Sequence, residues 1–273
     1  MQIWQAIVLG LTQGLAEFLP ISSSGHLVFL QRILHIDIGE AQLLFDIILH
    51  LGTLVAVCAV FWRDILDLFK KPFKTLLYLI VATIPAAVAG LFLDDIIEDG
   101  IMGSAFIGIY LGVFFLITAA TLFATEVFAK KRAKIFPLCW RTTLPMGFAQ
   151  VVALLPGISR SGSTIAAGTF AGGTADDVSK FSFLMSIPII LGSFAVSLIK
   201  SIANGELASS FASSGSNFGW CIAIGFIVSA VSGLFAIKVM LAAIKKANYK
   251  WFSLYLTLLA IACIILHFLG LFN

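Results

Sequence analysis

The chain has 273 residues, of which 60% are hydrophobic and only 11% charged, with a mean hydropathy of +1.06. Soluble domains run to about 25% charged residues, so this composition excludes an ordinary soluble domain and points to an integral membrane protein. The net charge of +3 argues against a nucleic-acid partner and bears instead on membrane orientation.

The first apolar run, Ile3 to Leu19, lacks a basic leader and contains Gln13 and Glu17, which argues against a cleaved signal peptide. Pro20 breaks it, and a second limb follows from Ser22 to Leu34. At about 1.5 Å per residue that limb spans about 20 Å, short of a hydrocarbon core of roughly 30 Å. The two limbs therefore read as a re-entrant hairpin, tolerable only where other helices shield its tip from lipid. Three full spans are predicted at about 41–62, 75–93 and 104–127. Thr142–Pro156 and Ser159–Phe170 form a second broken pair, followed by spans at about 181–201, 219–243 and 251–270. The four cysteines, Cys58, Cys139, Cys221 and Cys263, show no metal or redox spacing and read as packing residues.

The halves echo each other. Gln13…Pro20…Gly25 matches Gln150…Pro156…Gly162, A-A-V-A-G-L-F at 86–92 matches S-A-V-S-G-L-F at 229–235, and Ile109-Tyr110-Leu111 matches Leu254-Tyr255-Leu256. Three matches in one order predict a duplicated unit. The expected fold is an all-α polytopic membrane protein, one domain over 1–273. It is built from two inverted repeats, 1–127 and 142–273, each a re-entrant hairpin plus three transmembrane helices.

Loop charge predicts the orientation. Basic clusters follow the first full span (Arg63, Lys70, Lys71, Lys74), separate the halves (Lys130, Lys131, Arg132, Lys134, Arg141) and precede the last span (Lys245, Lys246, Lys250). Asp94, Asp95, Glu98, Asp99 and the Ser-rich loop 203–218 fall on the other side. With the basic loops in the cytoplasm, both termini lie outside. The first hairpin then enters from outside and the second from inside, as the odd number of spans per repeat also requires.

A carboxylate at membrane depth is costly and usually marks a site. Glu17 shares a helix face with Gln13, four residues earlier, and is followed by Ser22, Ser23, Ser24 and His26. The second hairpin tip, P-G-I-S-R-S-G-S-T from Pro156 to Thr164, sets Arg160 between Ser159 and Ser161. Glycine permits close approach, hydroxyls donate hydrogen bonds, and a guanidinium fork fits phosphate. A helix starting there adds free N–H groups and a positive dipole end. The pattern predicts an anion site, with phosphate the best fit. Inverted repeats would bring both tips into one cavity. There Glu17 with Gln13 offers oxygen ligands to a hard cation, and Ser23 is a candidate nucleophile with His26 as its base, His26 itself being the alternative nucleophile. Asp46 and His50, four apart, are candidates to support the site from behind. Plainer readings stand beside these: serines that pack or bond to backbone, a turn-capping His26, an Arg160 that only pairs with Glu17, and an Asp46–His50 pair solvated at a membrane boundary.

Q-G-L-A-E-F-L-P-I-S-S-S-G-H (13–26) and P-G-I-S-R-S-G-S-T (156–164) resemble the two signature motifs of the bacterial undecaprenyl-diphosphate phosphatases, the bacitracin-resistance proteins. The likeness runs over essentially the whole chain, including F-D-I-I-L-H-L-G-T at 45–53. It implies hydrolysis of the terminal phosphate of undecaprenyl diphosphate to give the monophosphate carrier for cell-wall synthesis, and bacitracin resistance. It implies dependence on Mg²⁺ or Ca²⁺, a bacterial plasma-membrane location and a site open to the outside. It assigns Glu17, Ser23, His26 and Arg160 to the catalytic site, with Gln13 and the neighbouring hydroxyls supporting them. Ser22, Ser24, Gly157, Ser159, Ser161 and Thr164 are expected to bind substrate. The first motif here has Gln13 where the family has Glu or Gln, so its acidic pair holds one carboxylate. The expected partners are a prenyl diphosphate lipid and membrane lipids, with a homodimer left open. Phosphatidic-acid-type phosphatases share the triplet Ser24-Gly25-His26, but their nucleophilic histidine would fall at Ala166, so that mechanism is excluded. The rival class is a transporter or flippase of an anionic prenyl-phosphate lipid, since broken helices meeting at the midplane are a transporter design.

Overall fold

The computed structural model describes residues 1–36, 39, 41–131, 135–203, 217–245 and 248–272. Arg132, Lys134, Lys246 and residues 204–216 of the Ser-rich loop lie outside the described residues, as do the side chains of Asp94, Asp95, Glu98, Asp99 and Lys245. Eleven α-helices run through the described residues: α1 (Ile3–Phe18), α2 (Ser23–Ile33), α3 (Ala41–Val60), α4 (Trp62–Leu68), α5 (Lys74–Ile97), α6 (Ile107–Lys131), α7 (Trp140–Val152), α8 (Arg160–Phe170), α9 (Ala175–Ala203), α10 (Phe218–Lys245) and α11 (Lys250–Phe268). There is no strand among them, only an isolated bridge between Phe136 and Gly173.

Five helices, α5, α6, α9, α10 and α11, are long and apolar enough to cross a membrane, and α3 with α4 forms a sixth candidate. Polarity is inverted relative to a soluble domain. Gln13, Thr118, Gln150, Ser159, Ser161, Thr164 and Ser182 are buried, while Leu91, Phe92, Phe235 and Phe268 are exposed. That is the arrangement lipid demands of a multi-pass protein, and the all-α polytopic expectation holds.

Several boundaries differ from the sequence reading. The span expected at 41–62 ends at Val60, and the chain turns by 79° into α4. The turn falls where Arg63, Asp64 and Asp67 interrupt the apolar run, since three charges in seven residues are costly to carry onward in hydrocarbon. A π-helical turn, Glu98–Met102, extends α5 beyond its expected end. The first limb of the second hairpin stops at Val152, before Pro156. Proline disfavours helical backbone in the residue before it, and Gly157 then adopts a φ of +101°.

Small residues set how closely the helices approach. A Cβ on Gly14 of α1 would lie 1.9 Å from Ser232 Oγ of α10, and one on Gly147 of α7 would lie 2.6 Å from the Ala82 carbonyl oxygen of α5. The first limb of each hairpin thus packs on a long helix of the other half, α1 on α10 and α7 on α5. Likewise α3 packs on α10 as α9 packs on α5. Phe183 of α9 packs against Phe18 and Phe61, with ring centroids 5.8 and 5.6 Å apart. This cross-packing brings the turns 19–22 and 153–159 together inside the bundle.

Candidate active site

The two tips are joined by their own caps. Ser22 caps α2 by accepting the Gly25 N–H, and its Oγ also accepts the Gly157 N–H of the other tip at 3.1 Å. Ser159 caps α8 in the same way, accepting the Gly162 N–H at 3.1 Å. Ser161 Oγ crosses back to donate to the Leu19 carbonyl at 3.1 Å. Thr118 of α6 holds the second tip from behind, donating to the Gly157 carbonyl and accepting the Ser159 N–H. A Cβ on Gly25 would come within 2.7 Å of Gly157 Cα, so the tips touch backbone to backbone. Two helix N-termini, those of α2 and α8, therefore converge on one place, each with free N–H groups suited to an anion.

Glu17 is the hub. Arg160 Nη2 donates to its Oε1 at 2.6 Å, closing an ion pair across 143 positions of sequence. On Oε2 it accepts from Ser23 Oγ at 2.7 Å and from Gln13 Nε2 at 3.1 Å. His50 Nε2 stands 3.8 Å from the same oxygen. Arg160 is further fixed by donating from Nη1 to the Ser182 carbonyl at 3.2 Å. The pair borders a cavity of about 290 Å³ whose wall includes Ser22, Ser23, Ser24, Ser159, Asp46 and His50. Toward α5, α9 and the turn after α7 the wall becomes more apolar, with Ala86, Leu154, Ile189, Ile190 and Phe194 beside Gln150, Ser193 and Ser197. A charged, hydroxyl-rich end and an apolar end suit a polar headgroup with a hydrocarbon tail.

Not every expected residue faces that cavity. Ser161 and Thr164 are buried, and their hydroxyls go to the Leu19 and Arg160 carbonyls, while Gly157 is spent on the contact between tips. They build the second tip instead of lining the space for substrate. The expected pairing of Ser23 with His26 is replaced by the bond from Ser23 to Glu17. His26 lies one turn along α2, where its Nδ1 sits 2.7 Å from the Ser22 carbonyl oxygen and its Nε2 2.8 Å from the Tyr255 hydroxyl. Asp46 and His50 both line the cavity. The Asp46 carboxylate accepts from the amides of Gln31 and Gln42, and its main-chain oxygen accepts from His50 Nδ1. Tyr255, Ser182, Gln31 and Gln42 escaped the sequence reading, because helix-borne polar residues with distant partners carry no local signal.

A divalent cation of the hard class takes oxygen ligands. Among the described residues no three His, Cys, Asp or Glu side chains cluster. One carboxylate, Glu17, does stand beside Gln13, whose Oε1 is buried without a hydrogen-bond partner. Mg²⁺ is commonly held by one or two carboxylates and completed by substrate phosphate and water, so this donor pair fits such an ion.

Residues 6–262 match the family described as bacitracin resistance protein BacA. The chain belongs to the BacA family. Relatives named undecaprenyl-diphosphatase are similar along nearly their whole length. The one from Caldicellulosiruptor bescii is 42% identical over 95% of this chain and 96% of its own. The one from Carboxydothermus hydrogenoformans is 39% identical over 100% of both chains, and that of Methanosphaera stadtmanae 38% over 97% and 98%. In this BacA-family chain both signature segments meet at the Glu17–Arg160 pair.

Proposed function

We propose that the chain hydrolyses undecaprenyl diphosphate to undecaprenyl phosphate and inorganic phosphate, recycling the lipid carrier of cell-wall synthesis and conferring bacitracin resistance. The observation that carries this reading is the sharing of Glu17 between Arg160 and Ser23, a guanidinium fork suited to phosphate and a hydroxyl on one carboxylate. The prenyl chain lies toward the apolar residues of α5 and α9, and the diphosphate toward the tips. Arg160 turns its fork from Glu17 to the terminal phosphoryl oxygens, and the N-termini of α2 and α8 add N–H groups. Ser23 Oγ attacks the terminal phosphorus and Glu17 takes its proton. The bridging P–O bond breaks and the prenyl monophosphate leaves with the bridging oxygen. Water then cleaves the phosphoserine and frees phosphate. Gln13 and Glu17 would hold Mg²⁺ or Ca²⁺, which supplies neutralising charge for the phosphoryl oxygens.

The same proposal takes the protein as two inverted repeats in the bacterial plasma membrane, termini outside and cavity open outward; the reciprocal packing of α1 on α10 and α7 on α5 supports the repeats. That packing also favours a second reading, movement of an anionic prenyl lipid across the membrane. Phosphate release by the purified protein on prenyl diphosphate, with and without chelator, separates the two. Turnover lost on chelation is expected; binding without turnover selects transport.

A further inference from the structure

Both nitrogens of His26 are committed away from the reacting groups. Nδ1 lies 2.7 Å from the Ser22 carbonyl oxygen. A carbonyl can only accept, so Nδ1 carries a proton, and in the neutral imidazole Nε2 is then a bare acceptor. The Tyr255 hydroxyl, 2.8 Å away, therefore donates to Nε2. The two rings stack with centroids 5.7 Å apart and planes 15° apart, and Phe115 meets the imidazole edge-on at 5.3 Å. His26 is 7% exposed, and the cavity wall carries Ser22, Ser23 and Ser24 but not His26.

The imidazole holds Ser22, which is the strained point of the first tip. Ser22 has a φ of +70°, in the left-handed region that side chains avoid. Such a conformation persists only where the surroundings over-determine it. Here Ser22 is held at its carbonyl by the His26 ring at 2.7 Å and the His26 main-chain N–H at 3.2 Å, and at its hydroxyl by the Gly157 and Gly25 N–H groups. The next residue is Ser23, whose hydroxyl this turn aims at Glu17.

We infer that Tyr255 is a positioning residue for the reaction: its hydroxyl locks His26, and His26 locks the Ser22 turn that presents Ser23 to Glu17 and Arg160. The last helix of the chain thereby fixes the geometry of the first hairpin, 229 positions away. His26 acts as a strut, neither the base nor the nucleophile. The inference rests on the phosphatase reading above.

The test is steady-state phosphate release by the purified full chain from undecaprenyl diphosphate, with melting temperatures measured alongside. Tyr255→Phe keeps the stacked ring and deletes the hydroxyl. It is expected to lower kcat about fivefold, the loss of one ordinary hydrogen bond, with KM within about twofold. His26→Asn keeps an N–H donor at the Nδ1 position and removes the rest of the ring. It is expected to stay at least about fivefold more active than His26→Ala. Adding Tyr255→Phe to His26→Asn is expected to cost nothing further, because the acceptor is already gone. Wild-type kcat in Tyr255→Phe overturns the inference, as does a full additional loss in the double variant. His26→Asn as inactive as His26→Ala also overturns it, and that comparison stands even if Tyr255→Phe is unstable. A wild-type protein that releases no phosphate overturns the phosphatase reading and this inference together, whereas an active wild type with unaffected variants overturns this inference alone.

Discussion

Glu17 gives two oxygens to three donors, and each donor has a different part in the proposed reaction. Arg160→Lys keeps the positive charge but not the planar fork that spans Glu17 and the Ser182 carbonyl. Turnover is expected to fall at least about tenfold, or roughly 1.4 kcal/mol of transition-state stabilisation, with insertion retained. Near-normal turnover would mean that Arg160 is only a strut between hairpins. Glu17→Gln keeps the shape but removes the charge opposite a largely buried guanidinium, so activity and its response to added Mg²⁺ are expected to weaken together. Gln13→Glu adds a second carboxylate where the Gln13 Oε1 has no partner, and is expected to be tolerated. An inactive Gln13→Glu beside a fully active Glu17→Gln refutes the metal assignment. Ser23→Ala is expected to be nearly inactive. Trapping with labelled substrate identifies the nucleophile: an acid-stable, base-labile phosphoryl adduct marks Ser23, and an acid-labile one marks histidine.

At the scale of elements, the contact between the two turns is what assembles the site. A Cβ on Gly25 would press on Gly157 Cα at 2.7 Å and on Phe115 Cζ at 2.8 Å, with two backbones unable to yield. Gly25→Ala is therefore expected to part the tips and lower turnover at least about tenfold in protein that still inserts. Gly90→Ala, with nothing within 4 Å of the new methyl, is the control and should behave as wild type. Activity assays on the two variants in detergent decide it; a fully active Gly25→Ala disproves the assembly of the site by tip contact. The hairpins themselves were legible in the sequence, because Pro20 and Pro156 interrupt apolar runs too short to span a membrane and polar residues follow each break. The charged site residues were legible for the same reason: Glu17 and Arg160 are conspicuous where 60% of residues are apolar. What could not be read was orientation around each helix axis. Whether Ser161 or Ser159 faces the cavity depends on α6 and α9 packing behind α8, and the partner of His26 is set by α11. The break between α3 and α4 was missed because an apolar count runs smoothly through Val60, Phe61 and Trp62 while the backbone does not.

Across the whole molecule, the basic clusters gather at one end. Lys180 at the start of α9 reaches Asp64 of α4 at 3.4 Å. Glu126 near the end of α6 accepts the N–H groups of Tyr249 and Lys250 at the start of α11. The Phe136 N–H bonds to the Gly172 carbonyl, tying the connection after α6 to the end of α8. Arg63, Lys130, Lys131, Arg141 and Lys250 sit on these same connected termini. Arg63 lies over the Trp62 ring and Lys250 over the Trp251 ring, at 5.2 and 5.3 Å. Aromatic rings beside lysine and arginine are what a membrane–water boundary collects, and the proposed orientation puts this basic boundary in the cytoplasm. α5 leads away from this end, from Lys74 to Ile97, so the proposed orientation puts segment 94–103 on the outer side. Single cysteines introduced into a variant lacking Cys58, Cys139, Cys221 and Cys263 test the assignment in intact cells. Cysteines in 63–74 and 128–141 are expected to react only after the membrane is permeabilised, and those at either terminus or in 94–103 to react without it. Reaction of segment 94–103 from the cytoplasmic side alone would reverse the orientation, and with it the side from which a prenyl diphosphate reaches Arg160.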